Sequence, residues 1–300
     1  MKILYLVHYY PPHVGAASFN THKMVEHLSK LKHEVRVIAP GDQGKNVYLK
    51  DIEKYSIPNV KVHFSNPIVK NPFNSIFSHI ENLIKFLTRI KSSFSPDVIL
   101  SQYHAYHFAS VVGNYLSKIL KVPHVIRSHD IFLDANIYPF PINWIYKLSY
   151  TQIFRAISTS DIFYVNTSEM KQYLRSLRRL KEIDIKIHPN GIDSSMFFPS
   201  QKQDELKEKY NCENILFFAG LLSENYGLQH LIKAMPVLLK QYKDTHLLIV
   251  GNGPYRNTLE RFVKTHNLKD QVHLLGIRPH TEIPFYVNNC DIGIGLLKYQ

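Results

Sequence analysis

Three hundred residues with 45% hydrophobic and 20% charged content describe a globular chain with room for about two domains, each large enough to bury its own core. No run of about 18 apolar residues occurs, so no membrane span is expected. The formal charge of +12 favours anionic partners such as nucleotides, phosphorylated lipids and membrane surfaces, whereas nucleic acid is not expected because no binding motif accompanies the charge.

The start, MKILYLVHYYPP, has the outline of a signal peptide, but its apolar run is only Ile3 to Val7 and no small-residue cleavage site follows. A buried first strand of the parallel type is expected there. The loop HYYPPHVGAAS, with Pro11, Pro12 and Gly15, delivers a helix whose Met24, Val25, Leu28 and Leu31 share one face, and a strand follows at Val35 to Ala39. A helix start behind a glycine offers free N–H groups and a positive dipole end, a natural place for phosphate. A lone glycine also serves packing, and neither a GxGxxG nor a Walker pattern is present.

Residues 41 to 73 read as polar loops around a short strand near Val60 to Phe64. An amphipathic helix is expected over Ser75 to Phe94, with Ile76, Ile80, Leu83, Leu87 and Ile90 flanked by Lys85, Arg89 and Lys91; it packs on the sheet or touches anionic lipid. Pro96 to Leu100 is the next strand. His104 and His107 stand three apart without a third histidine or a carboxylate, so they read as loop or cap residues before metal ligands. After a helix ending near Leu120, a strand at His124 to Ser128 stops at His129-Asp130. A histidine there faces the region where ligands gather and can exchange protons near neutral pH; a structural histidine is the alternative. A helix around Ile142 to Ile157, a strand at Ile162 to Asn166 and a helix at Ser168 to Leu180 follow, with Arg175, Arg178, Arg179 and Lys181 as a solvated basic face.

HPNGIDSSMFFP, His188 to Pro199, is bracketed by Pro189 and Pro199, which bias their predecessors to extended backbone. Asn190-Gly191 is a turn dipeptide, since glycine tolerates positive φ and asparagine nearly does. With βαβα patterns on both sides, residues 191–200 read as a hinge between a domain at 1–190 and another at 201–300. The second half reads as strand Ile215 to Ala219, helix Leu228 to Tyr242, strand Leu247 to Val250, the tight turn Gly251-Asn252-Gly253-Pro254, and a helix to about His266. Strand Gln271 to Leu275, helical Thr281 to Asn288 and strand Asp291 to Leu297 complete it. A buried parallel strand normally feeds a covering helix, so the end at Gln300 predicts an incomplete second domain. Cys212 and Cys290 have no zinc or redox spacing, which fits a reducing cytosol.

Taken in order, the opening strand with PPHVGAASFNTHKMVEHLSKLKHEVRVIAP, SHD at Ser128 to Asp130, HPNGIDSSMFFP, FFAGLLSENYGLQHLIKA, LLIVGNGP and VHLLGIRPHTEIPFYVNNCDIGI form a specific series. The series resembles the retaining glycosyltransferases of the GT-B architecture, family-four type (glycosyl transferases group 1), truncated at the C-terminus. The resemblance implies an α/β fold of two Rossmann-like domains with parallel sheets facing an inter-domain cleft, the first on the acceptor side and the second on the donor side. It implies transfer of a sugar from a UDP- or GDP-type donor with retained configuration, without a catalytic metal or a cofactor. The departing diphosphate is then stabilised by backbone N–H groups, helix dipoles and cations.

By the same resemblance, Gly15 and Ala16 lie against the donor phosphates, His129 approaches the reacting centre, and Gly220 and Gly227 are the glycines of the donor-domain loop. The chain departs from the pattern at Ala16, where many relatives have glycine, and at Leu221 and Tyr226, where many have arginine and lysine. Arg127, Arg278 and Lys298 are candidate compensating cations. The family's carboxylate-containing motif lies beyond the last strand.

The expected function is sugar transfer to a glycan or lipid-linked acceptor in cell-envelope polysaccharide or glycolipid synthesis, in the cytoplasm or peripheral on the inner membrane face. The alternative is a truncated or degenerate binding protein or subunit, favoured by the missing cations. A sugar-nucleotide epimerase of the same architecture ranks last, because no paired carboxylate signature is present.

Overall fold

The first strand, β1 (Lys2–Leu6), has no polar face to offer water: Ile3, Leu4, Tyr5 and Leu6 are all buried. The computed structural model describes residues 1–8, 10–11, 16–41, 55–67, 94–103, 109–129, 151–177, 180, 182–201 and 204–295. With β1 stand β2 (Glu34–Gly41), β3 (Val60–Pro67), β4 (Val98–Tyr103), β5 (His124–Ser128), β6 (Ile162–Val165) and β7 (Ile185–Ile187). They form one sheet in the order β3-β2-β1-β4-β5-β6-β7, every neighbouring pair parallel. The chain reverses its direction of travel across the sheet between β1 and β4. Such a switch point is where parallel sheets leave room for ligands beyond their strand ends.

Alternation along the strands separates two cores. Tyr5, Val35, Val37 and Leu100 share a cluster with α1 (Ala16–Lys30), whose Val25 is fully buried. Leu4, Leu6 and Ile99 instead pack with α2 (Ala109–Leu120) through Ala109 and Leu116. A third cluster joins α3 (residues 151–158), through Ile153 and Ile157, to Phe163, Val165 and Leu174 of α4 (Ser168–Ser176). α4 starts where its sequence says it should: the Thr167 hydroxyl accepts from the Met170 amide at 3.2 Å, satisfying one of the orphan donors of the first turn.

The chain divides into two units, Met1–Asn190 and Gly191–Gln300. In the second, β8 (Asn214–Ala219), β9 (Thr245–Val250), β10 (Val272–Gly276) and β11 (Ile292–Gly293) form a parallel sheet in the order β10-β9-β8-β11. Leu216, Phe218, Leu247 and Ile249 face α6 (Leu228–Gln241) and α7 (Arg256–Thr265). Ile215, Phe217, Leu248 and Val250 face α5 (Glu205–Tyr210) and α8 (Ile283–Asn289).

Three readings change. β7 and α5 carry no apolar run and were not expected; each buries essentially one side chain, Ile185 and Leu206. The last strand is confined to Ile292–Gly293 among the described residues. Asn190-Gly191 does not use positive φ. Chain reversal falls instead at Asp193, whose carbonyl accepts from the Met196 and Phe197 amides at 3.0 and 2.8 Å. The expected amphipathic helix lies outside the described residues except for Phe94, which is not helical and sets its ring 4.4 Å from the Arg36 guanidinium. His104, His107, Arg178, Arg179 and Lys181 also lie outside them. Among the described residues no helix is long and apolar enough to cross a membrane, and no three or more His, Cys, Asp or Glu side chains gather to hold a metal.

Under β5 lies a buried polar pair, His124 Nε2 and Ser101 Oγ at 2.8 Å. Asp161 accepts from the His124 backbone amide at 2.8 Å, so hydroxyl, imidazole and carboxylate do not form a relay through the ring. Gly113 of α2 leaves room for this imidazole: a Cβ at 113 would stand 2.5 Å from Nε2. Gly113→Ala is therefore expected to destabilise the first unit by about 1–3 kcal/mol, the scale of core overpacking. Gly191→Ala, with nothing within 4 Å of the added methyl, should change stability little. Urea unfolding of both variants checks the contrast, and equal midpoints would refute it.

Candidate functional site

At the carboxyl end of the first sheet the chain places polar side chains inside a parallel α/β core, where each must find a partner. Gln102, one residue before the end of β4, is the hub. Its Oε1 accepts from the His8 amide at 3.0 Å, and its Nε2 donates to the Tyr5 hydroxyl at 3.3 Å and to Thr21 Oγ1. β1, β4 and α1 are thereby tied together at the switch point. In the first turn of α1, the buried Ser18 hydroxyl has no partner among the described residues.

Arg127, fourth residue of β5, is 5% exposed. Its guanidinium donates to the Met24 sulfur at 3.3 Å and to Asn190 Oδ1 at 3.2 Å. Its Nε has no partner among the described residues. Burial raises the pKa of the Tyr5 phenol above its usual value, and the Arg127 charge is the chief opposing influence.

His129 follows immediately after β5 and is half-buried. Its carbonyl accepts from Asn166 Nδ2 at 3.0 Å, which anchors the backbone beyond the strand. Burial first, then the Arg127 charge, push its imidazole pKa down to about 4; the Asn190 amide acts in the opposite direction and His188 adds to the lowering. The ring is therefore neutral at neutral pH, and its Nε2 is buried without a partner among the described residues. Of the expected site residues in this unit, the structure brings His129 and Arg127 together around Asn190. Gly15 lies outside the described residues, and of Ala16 only its place at the start of α1 is described.

In the second unit the corresponding strand ends are built from backbone. Gly227 has φ 64°, a left-handed conformation that favours glycine, and opens α6. Its amide donates to the Glu224 carbonyl at 3.1 Å. Gly220 donates to the Val250 carbonyl at 3.0 Å, and its α-carbon faces the Phe218 ring, 3.1 Å from where a Cβ would stand.

Two further glycines matter, and the sequence marked them only as a turn. Gly251 has φ 132°, and a Cβ there would lie 1.9 Å from the Gly220 carbonyl oxygen. A Cβ on Gly253 would meet the Leu222 carbonyl oxygen at 2.3 Å. The turns after β8 and β9 are locked together by Leu222 N–H to Asn252 O and Tyr255 N–H to Leu222 O, both 3.0 Å. The repeated Gly-x-Gly after a strand was the available signal.

Leu221 stands 55% exposed, and Tyr226 sets its ring edge against Phe218 at 5.9 Å, so an aliphatic and an aromatic side chain occupy the positions expected for cations. Arg278 is exposed after β10, and Lys298 lies outside the described residues.

Two family models match the chain: Glycosyltransferase Family 4 over residues 19–195, and Glycosyl transferases group 1 over residues 199–296. The chain belongs to glycosyltransferase family 4. This family-4 chain is 23% identical over 295 residues to the GPI3 subunit of phosphatidylinositol N-acetylglucosaminyltransferase from Saccharomyces cerevisiae, covering 97% of this chain and 62% of that protein. It is 22% identical over 297 residues to the alpha-monoglucosyldiacylglycerol synthase of Acholeplasma laidlawii, covering 94% and 71%. It thus spans less than two thirds of the length of the first of these relatives. Its fold is shared with the GT-B enzyme sucrose-phosphate synthase of Thermosynechococcus elongatus, with a TM-score of 0.70 at 16% identity, covering 98% of this chain and 75% of the other. It is also shared with Anabaena HepE, solved with UDP and glucose, with a TM-score of 0.68 at 19% identity, covering 98% and 73%.

Gly251→Ala in this family-4 protein forces either the Gly220 carbonyl or the β9 turn to move. The expected result is loss of several kcal/mol from the second unit, the combined scale of a disallowed φ and a backbone clash. Thermal unfolding followed by circular dichroism reads it, and an unchanged melting temperature would show that the two turns are not packed as described.

Proposed function

We propose that the protein transfers a sugar, with retention, from a UDP- or GDP-sugar to a glycan or lipid-linked acceptor in cell-envelope polysaccharide or glycolipid synthesis. The observation that carries this reading is the family-4 match across residues 19–195. Several features support its finer parts. Two relatives are named for transfer to phosphatidylinositol and for synthesis of a glucosyl diacylglycerol, and HepE was solved with UDP and with UDP-glucose. The net charge of +12 suits a protein that works peripherally on the cytoplasmic face of an anionic membrane.

In this reaction the bond from the anomeric carbon to the diphosphate breaks while an acceptor oxygen adds on the same face. Negative charge grows on the leaving phosphate as it departs. In our reading the positive end of α6 behind Gly227 and the close approach allowed at Gly220, together with Gly15 and Ala16, meet that charge, and no metal is called upon. Glycine serves there because a backbone without Cβ lets a phosphate approach closely. Arg278 and Lys298 are the cations assigned to supplement them. His129 is assigned to the reacting centre, where a neutral imidazole accepts a hydrogen bond from a sugar or acceptor hydroxyl.

A second reading is favoured by one observation: Leu221 and Tyr226 contribute no charge to the donor loop. On that reading the chain is a binding subunit without turnover. Incubation with radiolabelled UDP- and GDP-sugars and membrane lipid extract separates the two. The enzyme reading predicts labelled glycolipid or glycan, and a loss of about 100-fold or more in kcat for His129→Ala with nucleotide affinity nearly intact. Unchanged turnover in His129→Ala would remove that residue from the mechanism. No transfer from any donor would leave the binding reading.

A further inference from the structure

A guanidinium buried inside a folded unit ordinarily sits against a carboxylate, since an uncompensated charge is costly away from water. Among the described residues Arg127 has no such partner: it donates to the neutral Met24 sulfur and the Asn190 amide oxygen, and its charge also acts on the Tyr5 hydroxyl. It projects from β5 on the same face as Tyr5 and Gln102, beneath α1, because Gln102 pairs with Arg127 across β4 and β5. Expected from the sequence as a candidate compensating cation, Arg127 is 5% exposed in the structure. Its charge acts on His129, two positions on.

Asn190 Oδ1 is the shared element. It accepts from Arg127 and lies close enough to His129 to favour a protonated ring. While Arg127 engages that oxygen, His129 Nε2 has no partner among the described residues. A buried nitrogen left unsatisfied is retained only where something offsets its cost, and in a binding site that something is a ligand. We propose that Arg127 is a positioning residue: by engaging the Asn190 amide oxygen and by its own charge, it leaves the His129 Nε2 as an uncommitted hydrogen-bond acceptor for a substrate hydroxyl. This inference rests on the assignment of His129 to the reacting centre made above.

The charged and titratable groups facing His129 among the described residues are Arg127 on its own strand and His188 just after β7; no carboxylate is among them. Burial is the largest cause of its lowered pKa, the Arg127 charge the next. The sign follows. With the folded value depressed below 6.5, neutral His129 supports the fold fully above that pH, and the support is lost as pH falls toward about 4. Removing the Arg127 charge narrows this window from below.

The test is an NMR titration of the histidine ring signals, assigned through His129→Gln, in the wild-type chain and in Arg127→Met, Arg127→Lys and Asn190→Asp. His124 is the internal control, because its own depression to about 4 comes from burial, opposed by Asp161, with no contribution from Arg127. Arg127→Met should raise the His129 midpoint by about one unit or more, the scale of a nearby charge, and Arg127→Lys should keep it low. Asn190→Asp alters an exposed side chain without cutting into the core and is the positive control for charge at that position; its carboxylate should raise the midpoint. In each case His124 stays where it was. An unmoved His129, or His129 and His124 rising together as a loosened core would make them, overturns the proposal. Because the titration needs no turnover, its failure is distinguishable from a failure of the glycosyltransferase reading.

Discussion

The carbonyl oxygen of Gly220 occupies the space where any residue but glycine would put its Cβ at position 251. Much of the second unit's functional end depends on that contact. The turns leaving β8 and β9 are pressed backbone to backbone, with Leu222 held from both sides by Asn252 and Tyr255. Side chains cannot intervene between them, so the positions of these peptide groups are fixed by neighbouring strands. Fixed dipoles of this kind need no reorganisation when an anion arrives, which is why a diphosphate suits them.

The first unit solves a different problem. Its strand ends carry side chains instead of bare backbone, and the switch point between β1 and β4 is closed by Gln102 through three hydrogen-bond partners. One strand further on, burial and a neighbouring guanidinium leave His129 uncharged at neutral pH. A neutral imidazole keeps an acceptor to offer, which a protonated one does not.

The sequence showed most of the strands because parallel sheets need continuous apolar runs. His124–Ser128 was legible to the residue, and the helices with clear apolar faces began and ended within a few residues of their predicted bounds. What escaped notice lacked that signal. β7 lies at a sheet edge, with Lys186 and Ile187 facing solvent, and α5 is a polar helix with one buried leucine. Arg127 was visible as a lone charge in an apolar strand, yet its burial against Met24 and Asn190 depends on α1 and on the end of the unit, both distant in sequence. The need for glycine at 251 was hidden for the same reason, because it is set by a contact with another turn and no local pattern announces it.

The most direct measurement is amide hydrogen exchange with and without UDP-glucose, resolved at residues 220–227 and 251–255. Main-chain amides that receive a nucleotide diphosphate should exchange more slowly when the ligand is present, with the protection lost when glucose alone is added. Exchange in both segments unchanged by saturating nucleotide sugar would contradict a backbone-built anion site and, with it, the account of how this chain holds its donor.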